Sequence, residues 1–302
     1  MCLYPRLIRN RKYTKNKKNG GVIPPISDKR VLMVPVGCGK CMECRKQKAR
    51  QWQVRLSEEI RETKEGKFVT MTFSEESLKE LTKTINGLEG YNLDNEIATK
   101  ATRRFLERWR KKHKKSVKHW LVTELGQTNT ERIHIHGVLW TKEDKKEIEK
   151  LWKYGIVWVG EYVNEKTINY IVKYISKTDE KHKEYKSKIL TSSGIGKGYL
   201  KRHDSKRNTY KENNKTIEEY KTRTGIKLNL PIYYRNHIYN EDEKEKLWLE
   251  KLDKQERWVD GKRINIENGE EEYYEVLKEA RKKNKSLGYG DNTINWERRK
   301  RS

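Results

Sequence analysis

The chain has 302 residues, 33% hydrophobic and 38% charged, and its 70 Lys and Arg against 44 Asp and Glu give a formal charge of +26. This length suits one main domain with appended modules around a modest core. The basic surplus points to a polyanionic partner through counterion release, with AT-rich coding as the compositional alternative. No apolar run approaches about 18 residues and no hydrophobic signal region opens the chain, so neither a membrane span nor secretion is expected.

From Met1 to Val36 the chain carries four of its five prolines and several Lys/Asn/Gly clusters, which predicts a mostly irregular arm. Cys38, Cys41 and Cys44 then form C-x-x-C-x-x-C, a spacing that lets thiolates converge on a tetrahedral ion, and Cys2 supplies a fourth. A structural zinc is the expected occupant. An iron–sulfur cluster and ordinary reduced thiols are the alternatives. Arg45 to Thr63 follows as a basic amphipathic helix, with Ala49, Trp52, Leu56 and Ile60 on its apolar stripe. Residues 1–63 form the first expected segment, an arm with the cysteine cluster and this helix.

Phe68 to Phe73 alternates apolar residues with threonine and reads as a strand. Ser74 caps a short helix from Glu75 to Leu81, Leu88 to Leu93 reads as a loop, and Ile97 to Lys115 reads as a helix. His119 to Glu124 and Arg132 to Trp140 are predicted strands joined by Gly126 to Glu131. In the second strand Ile133, Ile135 and Leu139 face one way, and His134, His136, Val138 and Trp140 face the other. Two imidazoles at i and i+2 can share a divalent metal, with a carboxylate as third ligand. A hairpin centred on Asn129 sets Glu124 opposite His134 on the same face; a slip of one residue turns it away.

A helix over Asp144 to Lys153 and a strand over Ile156 to Val163 precede a further helix that opens near Thr167. There Tyr170-Ile-Val-Lys173-Tyr174-Ile-Ser-Lys177 repeats Y-x-x-K. Ile168, Ile171, Val172 and Ile175 fall on one helix face, and Tyr170, Lys173, Tyr174 and Lys177 fall on the opposite one. The tyrosines are therefore expected outside the core, each with a cation that favours the phenolate and can hold a phosphate. A solvated helix face is the simpler alternative. Because its other face must pack, this helix is expected at the margin of the sheet.

His134-Ile-His136 followed after 34 residues by two Y-x-x-K units resembles the HUH endonucleases, in the two-tyrosine form of microvirus-type rolling-circle replication initiators. The cysteine run with its basic helix, Val69 to Phe73, and Glu124-Leu-Gly126 extend the resemblance over roughly Met1 to Tyr199. The predicted order of strands and helices is α+β, an antiparallel sheet with packed helices. The resemblance implies a ferredoxin-like, RRM-like core, placed here at residues 64–200. It also implies Mg²⁺ or Mn²⁺ on His134, His136 and Glu124, and attack by Tyr170 or Tyr174 on single-stranded origin DNA. That attack leaves a 5′-phosphotyrosine and a free 3′-hydroxyl. Lys173 and Lys177 would position phosphate or stabilise phenolate. The implied setting is the cytoplasm of a bacterial host, with a host helicase and polymerase as partners. A transposase or relaxase of the same superfamily is one alternative, and a noncatalytic zinc-containing nucleic-acid-binding protein is another.

Ser192 to Gly198 lacks the spacing of an ATP-binding loop and reads as a flexible connection. Residues 201–302 form a basic C-terminal region in which Lys227 to Tyr239 returns an ordered segment to the core. Beyond Glu241 the pattern is charged and partly helical, with Trp248, Leu249, Leu252 and Trp258 as packing residues.

Overall fold

Alternation and helical spacing account for most of the elements in a computed structural model of the chain, which describes residues 1–126, 131–178, 181–182 and 185–291. In chain order these are β1 (Arg6–Arg9), β2 (Met33–Val36), α1 (Met42–Glu62), β3 (Gly66–Met71), α2 (Glu75–Lys83) and α3 (Gly90–His113). Then come β4 (Lys118–Leu125), β5 (Ile133–Trp140), α4 (Lys145–Trp152), β6 (Val157–Gly160), α5 (Glu165–Ser176) and β7 (Ile189–Thr191). The remainder holds β8 (Glu219–Lys221), β9 (Lys227–Asn229), α6 (Ile232–Ile238), α7 (Glu241–Asp253), β10 (Glu256–Val259), β11 (Lys262–Asn265) and α8 (Glu271–Ser286). The chain divides into two units. One joins Met1–Gln47 to His203–Lys221 and the chain from Lys227 on, and the other is Lys48–Arg202 with Thr222–Ile226. Among the described residues no helix is long and apolar enough to cross a membrane.

The second unit is α+β, built on an antiparallel five-stranded sheet in the order β6-β3-β5-β4-β7. Period-two side chains divide between its faces. Val69, Met71, Leu121, Ile133, Ile135 and Leu139 pack against α3 and α4 through Phe105, Trp109, Ile148 and Trp152. On the other face Trp120, Val122, Val138 and Trp140 meet Leu56 of α1 and Ile168, Ile171, Val172 and Ile175 of α5. Burying each such aliphatic side chain contributes about 1.5–3 kcal/mol. The tyrosine helix thus lies on the histidine face itself, not at the sheet margin. Its four apolar side chains find partners on β4 and β5 that the local pattern does not display.

Caps determine where the helices begin. Ser74 accepts from the Ser77 amide as expected. Asn164 and Thr167 cap each other's backbone, so α5 opens at Glu165, two residues before Thr167. The predicted loop at Leu88 to Leu93 ends early, because α3 starts at Gly90 and buries Asp94 and Ile97. The Ser192 to Gly198 connection is also anchored, with Ile195 in the core and the Gly196 amide donating to the buried Glu59 carboxylate at 2.7 Å.

In the first unit the arm expected to be irregular pairs β1 with β2 in antiparallel register, Arg6 opposite Val36. Its core gathers Leu3, Cys41, Met42, Val259, Ile264, Leu277 and Ala280. The segment after β9 turns into α6, and β9 pairs with β8. In and after α7 the fully packed residues are Leu247 and Val259, while Trp258 is exposed; β10 points its indole to solvent on the face opposite Val259.

Candidate active site and cysteine centre

Strand register assembles the first group of residues. Glu124 pairs with His134 across β4 and β5, and Val122 pairs with His136, so the carboxylate and both imidazoles share one face. The loop centre at Asn129 lies outside the described residues. His136 Nε2 is 2.9 Å from Glu124 Oε2, and Lys177 Nζ is 2.9 Å from Glu124 Oε1. Burial alone would raise the Glu124 carboxyl, but hydrogen bonds from His136 and Lys177 hold it below its ordinary value. Burial, then repulsion from His136, lowers the His134 imidazole. The site therefore offers a carboxylate and a neutral imidazole at pH 7.

Thr70 on β3 touches the other ring nitrogen of His136, with Oγ1 3.0 Å from Nδ1. Its hydroxyl both donates and accepts, so it suits either imidazole tautomer. With the proton on Nε2, His136 donates to Glu124. With the proton on Nδ1, Thr70 accepts it and the Nε2 lone pair is free for a cation. Glu124, His136 and His134 therefore fit a divalent ion by donor chemistry. The ring centroids of His134 and His136 are 6.4 Å apart.

Capped at Asn164, α5 lays its tyrosines above this group. The Tyr174 ring stacks on His136 with centroids 4.5 Å apart and planes at 8°. Its hydroxyl donates to Tyr170 at 2.6 Å. The two tyrosines share a face as predicted, but only Tyr170 lies outside the core. It is 51% exposed, whereas Tyr174 is 9% exposed and belongs to the α5 cluster. Burial, donation to Tyr170 and the nearby Glu124 carboxylate all push the Tyr174 phenol up. The expectation that lysines would ease its ionisation is therefore corrected. Lys177, the C-cap of α5, gives its charge to Glu124 and stands 5.9 Å from the Tyr174 ring centre. Lys173 is exposed.

Pattern reading missed Thr70, Phe68 and Trp158. Thr70 carried a signal, since it is a polar residue in the phase of β3 that faces His136. Phe68 packs edge-on against both Tyr170 and Trp158.

The cysteines form a separate centre in the first unit. Cys2, Cys38, Cys41 and Cys44 hold their sulfurs within 4.8 Å of one another, the one such group among the described residues. Cys38 and Cys44 are 4.0 Å apart, and Cys41 and Cys2 are 3.9 Å apart. A tetrahedron with metal–sulfur bonds of about 2.3 Å has sulfurs about 3.8 Å apart. Amides of Tyr4 and Cys38 donate to Cys2, and those of Lys40 and Cys41 donate to Cys38, an array that favours thiolate. Hydrogen bonds from Cys41 and Cys44 hold the Cys2 thiol far below its ordinary value, while Cys44, facing Cys2 and Cys41, is pushed up. The quartet can hold a structural metal such as zinc. Cys44 sits in the first turn of α1 rather than in the loop.

An antiparallel sheet carrying a carboxylate–histidine pair beneath two coupled tyrosines defines the class, an α+β protein with a polar site on one sheet face. Residues 66–179, which hold all of that site, match the model of a family described as replication-associated protein ORF2. The chain is also 28% identical over 274 residues to the replication-associated protein ORF2 of Spiroplasma virus 4, covering 80% of this chain and 81% of that protein. Both likenesses support a replication initiator. No solved structure matches.

Proposed function

We propose that this protein initiates rolling-circle replication by nicking single-stranded origin DNA through a tyrosine and rejoining it by the reverse transfer. The observation that carries this reading is the hydrogen-bonded Tyr170–Tyr174 pair, stacked directly over the His136–Glu124 pair. Glu124, His134 and His136 would hold Mg²⁺ or Mn²⁺, which when bound offsets charge on the scissile phosphate. Tyr170 is the presented nucleophile. It is open to solvent, and the bond it accepts from Tyr174 stabilises its phenolate. Its proton goes to water, its oxygen bonds to phosphorus, and the 3′ oxygen departs and takes a proton from solvent. One phosphodiester replaces another, so resealing needs no ATP. Tyr174, freed once Tyr170 is consumed, serves the second cleavage. Lys173 and Lys177 position phosphate, Lys177 by release from Glu124. A host helicase and polymerase in a bacterial cytoplasm would extend the 3′-hydroxyl.

Incubation with labelled single-stranded origin DNA and Mn²⁺ should give a covalent adduct that survives denaturation. His134→Ala with His136→Ala should abolish it while leaving nonspecific DNA binding nearly intact, since Lys and Arg contacts to phosphate supply that affinity. Full cleavage by the double variant sinks the metal-site reading. The preassembled cysteine quartet favours a second reading, a noncatalytic nucleic-acid-binding protein, which predicts binding with no adduct.

A further inference from the structure

The histidine face of the sheet continues past the site to its edge strand. Thr70 pairs with His136 on one side and with Trp158 of β6 on the other, so the three lie in one row across the sheet. Two strand spacings, about 10 Å, separate Trp158 from His136, within reach of the nucleotides flanking a phosphate held there. No helix covers this end, and Trp158 is 56% exposed. Its indole stands edge-on to Phe68 with centroids 5.6 Å apart, and Phe68 stands edge-on to Tyr170 at 6.1 Å. Gly160 makes room for the arrangement, because a Cβ there would lie 3.0 Å from the indole ring. Ile156 and Tyr162, in the same phase of the chain as Trp158, are also exposed. On α5, Lys166 and Lys173 flank Tyr170 by one turn on either side and are exposed.

We infer that Trp158, braced by Phe68, is a stacking platform for an unpaired base of single-stranded DNA next to the phosphate presented to Tyr170. A large exposed indole held in place by edge contacts keeps one face free, and every base has a π-face to lay on it. The lysines beside Tyr170 match the charge of the adjoining phosphates, and a duplex, whose bases are already stacked, offers no such ligand. The platform deepens the nicking reading and rests on it for the identity of the strand, so its test avoids chemistry.

In a protein carrying Tyr170→Phe and Tyr174→Phe, binding of a fluorescent oligo(dT) is measured by anisotropy. Trp158→Ala should weaken binding roughly tenfold, while Trp158→Phe should retain most of it. Trp258→Ala, which removes an exposed indole from the other unit, should change little. Oligonucleotides with 5-iodouracil should cross-link to Trp158 under long-wavelength light, a readout that holds even if Trp158→Ala folds poorly. Unchanged affinity in Trp158→Ala, an equal loss in Trp258→Ala, or cross-links that map only elsewhere would each overturn the platform. Wild-type protein that binds through Trp158 but never forms an adduct would instead overturn the nicking reading alone.

Discussion

Tyr170 and Tyr174 share a helix face and a hydrogen bond, yet their surroundings make them unequal. Tyr174 gives its proton to the bond, stacks on His136 and is buried, so its phenolate is disfavoured. Tyr170 accepts the bond and faces solvent. Tyr170→Phe should therefore lower first-round covalent capture of an oligonucleotide by about tenfold or more, a barrier change of about 1.4 kcal/mol. Tyr174→Phe should keep most of that capture but lose strand transfer between two origins, and the double variant should do neither. Gel analysis of adduct and transfer products checks this, and equal single variants would mean that the two exchange roles freely. Thr70→Val is the companion test. It removes the group that serves both His136 tautomers, so it should reduce Mn²⁺-dependent capture without moving oligo(dT) affinity.

The strand that carries the histidines has no room for change at its centre. A Cβ on Gly137 would lie 2.1 Å from the Trp120 carbonyl oxygen and 2.8 Å from the Leu121 Cα, both backbone atoms of β4. Gly137→Ala should thus destabilise the sheet by at least about 1–3 kcal/mol, seen as a lower urea midpoint. Along the same pairing, His119 fastens β4 to β7. Its amide donates to Ser192 Oγ at 3.0 Å, its carbonyl accepts from the Ser192 amide at 2.9 Å, and its Nδ1 lies 3.0 Å from Ser192 Oγ. Burial lowers the His119 imidazole and the Val117 carbonyl raises it only in part. Because the folded value is the lower one, the unfolded chain binds more protons between the two. Stability rises with pH across that window, is fully present above about pH 6.5, and is lost as pH falls below it. His119→Gln should flatten the dependence of the urea midpoint on pH from 5 to 7.5, and an unchanged slope would remove His119 as its source.

Across the whole molecule the two units rely on different kinds of cohesion. The sheet unit has apolar layers on both faces, whereas the arm unit joins a smaller core to the cysteine quartet. Its Met42 amide, at the start of α1, donates to the buried Asn284 side chain of α8 at 2.8 Å, so the cysteine loop and the C-terminal helix are ordered together. Protein purified without chelator should carry about one zinc per chain, and Cys41→Ser should release it and lower the melting temperature. Metal-free protein of equal stability would reduce the quartet to ordinary thiols.

Much of this molecule is decided by local sequence. Alternation in Arg132 to Trp140 assigns Ile133, Ile135 and Leu139 to one face and the histidines to the other, and the sheet places them so. The tandem Y-x-x-K puts two phenols on one helix face, and symmetry about Asn129 puts Glu124 opposite His134. Side-chain phase and hairpin register are short-range properties, and a dozen residues carry them. Only the tertiary structure decided that α5 covers the histidine face and that Tyr174 is buried on His136. It alone turned Lys177 to Glu124 rather than to a phenol, and set Trp158 in a row with Thr70 and His136. Each of these depends on strands β3 and β6 and helix α5, dozens of residues apart in the chain, meeting on one surface. Burial and partner choice belong to that surface, and no periodicity within a single element encodes them.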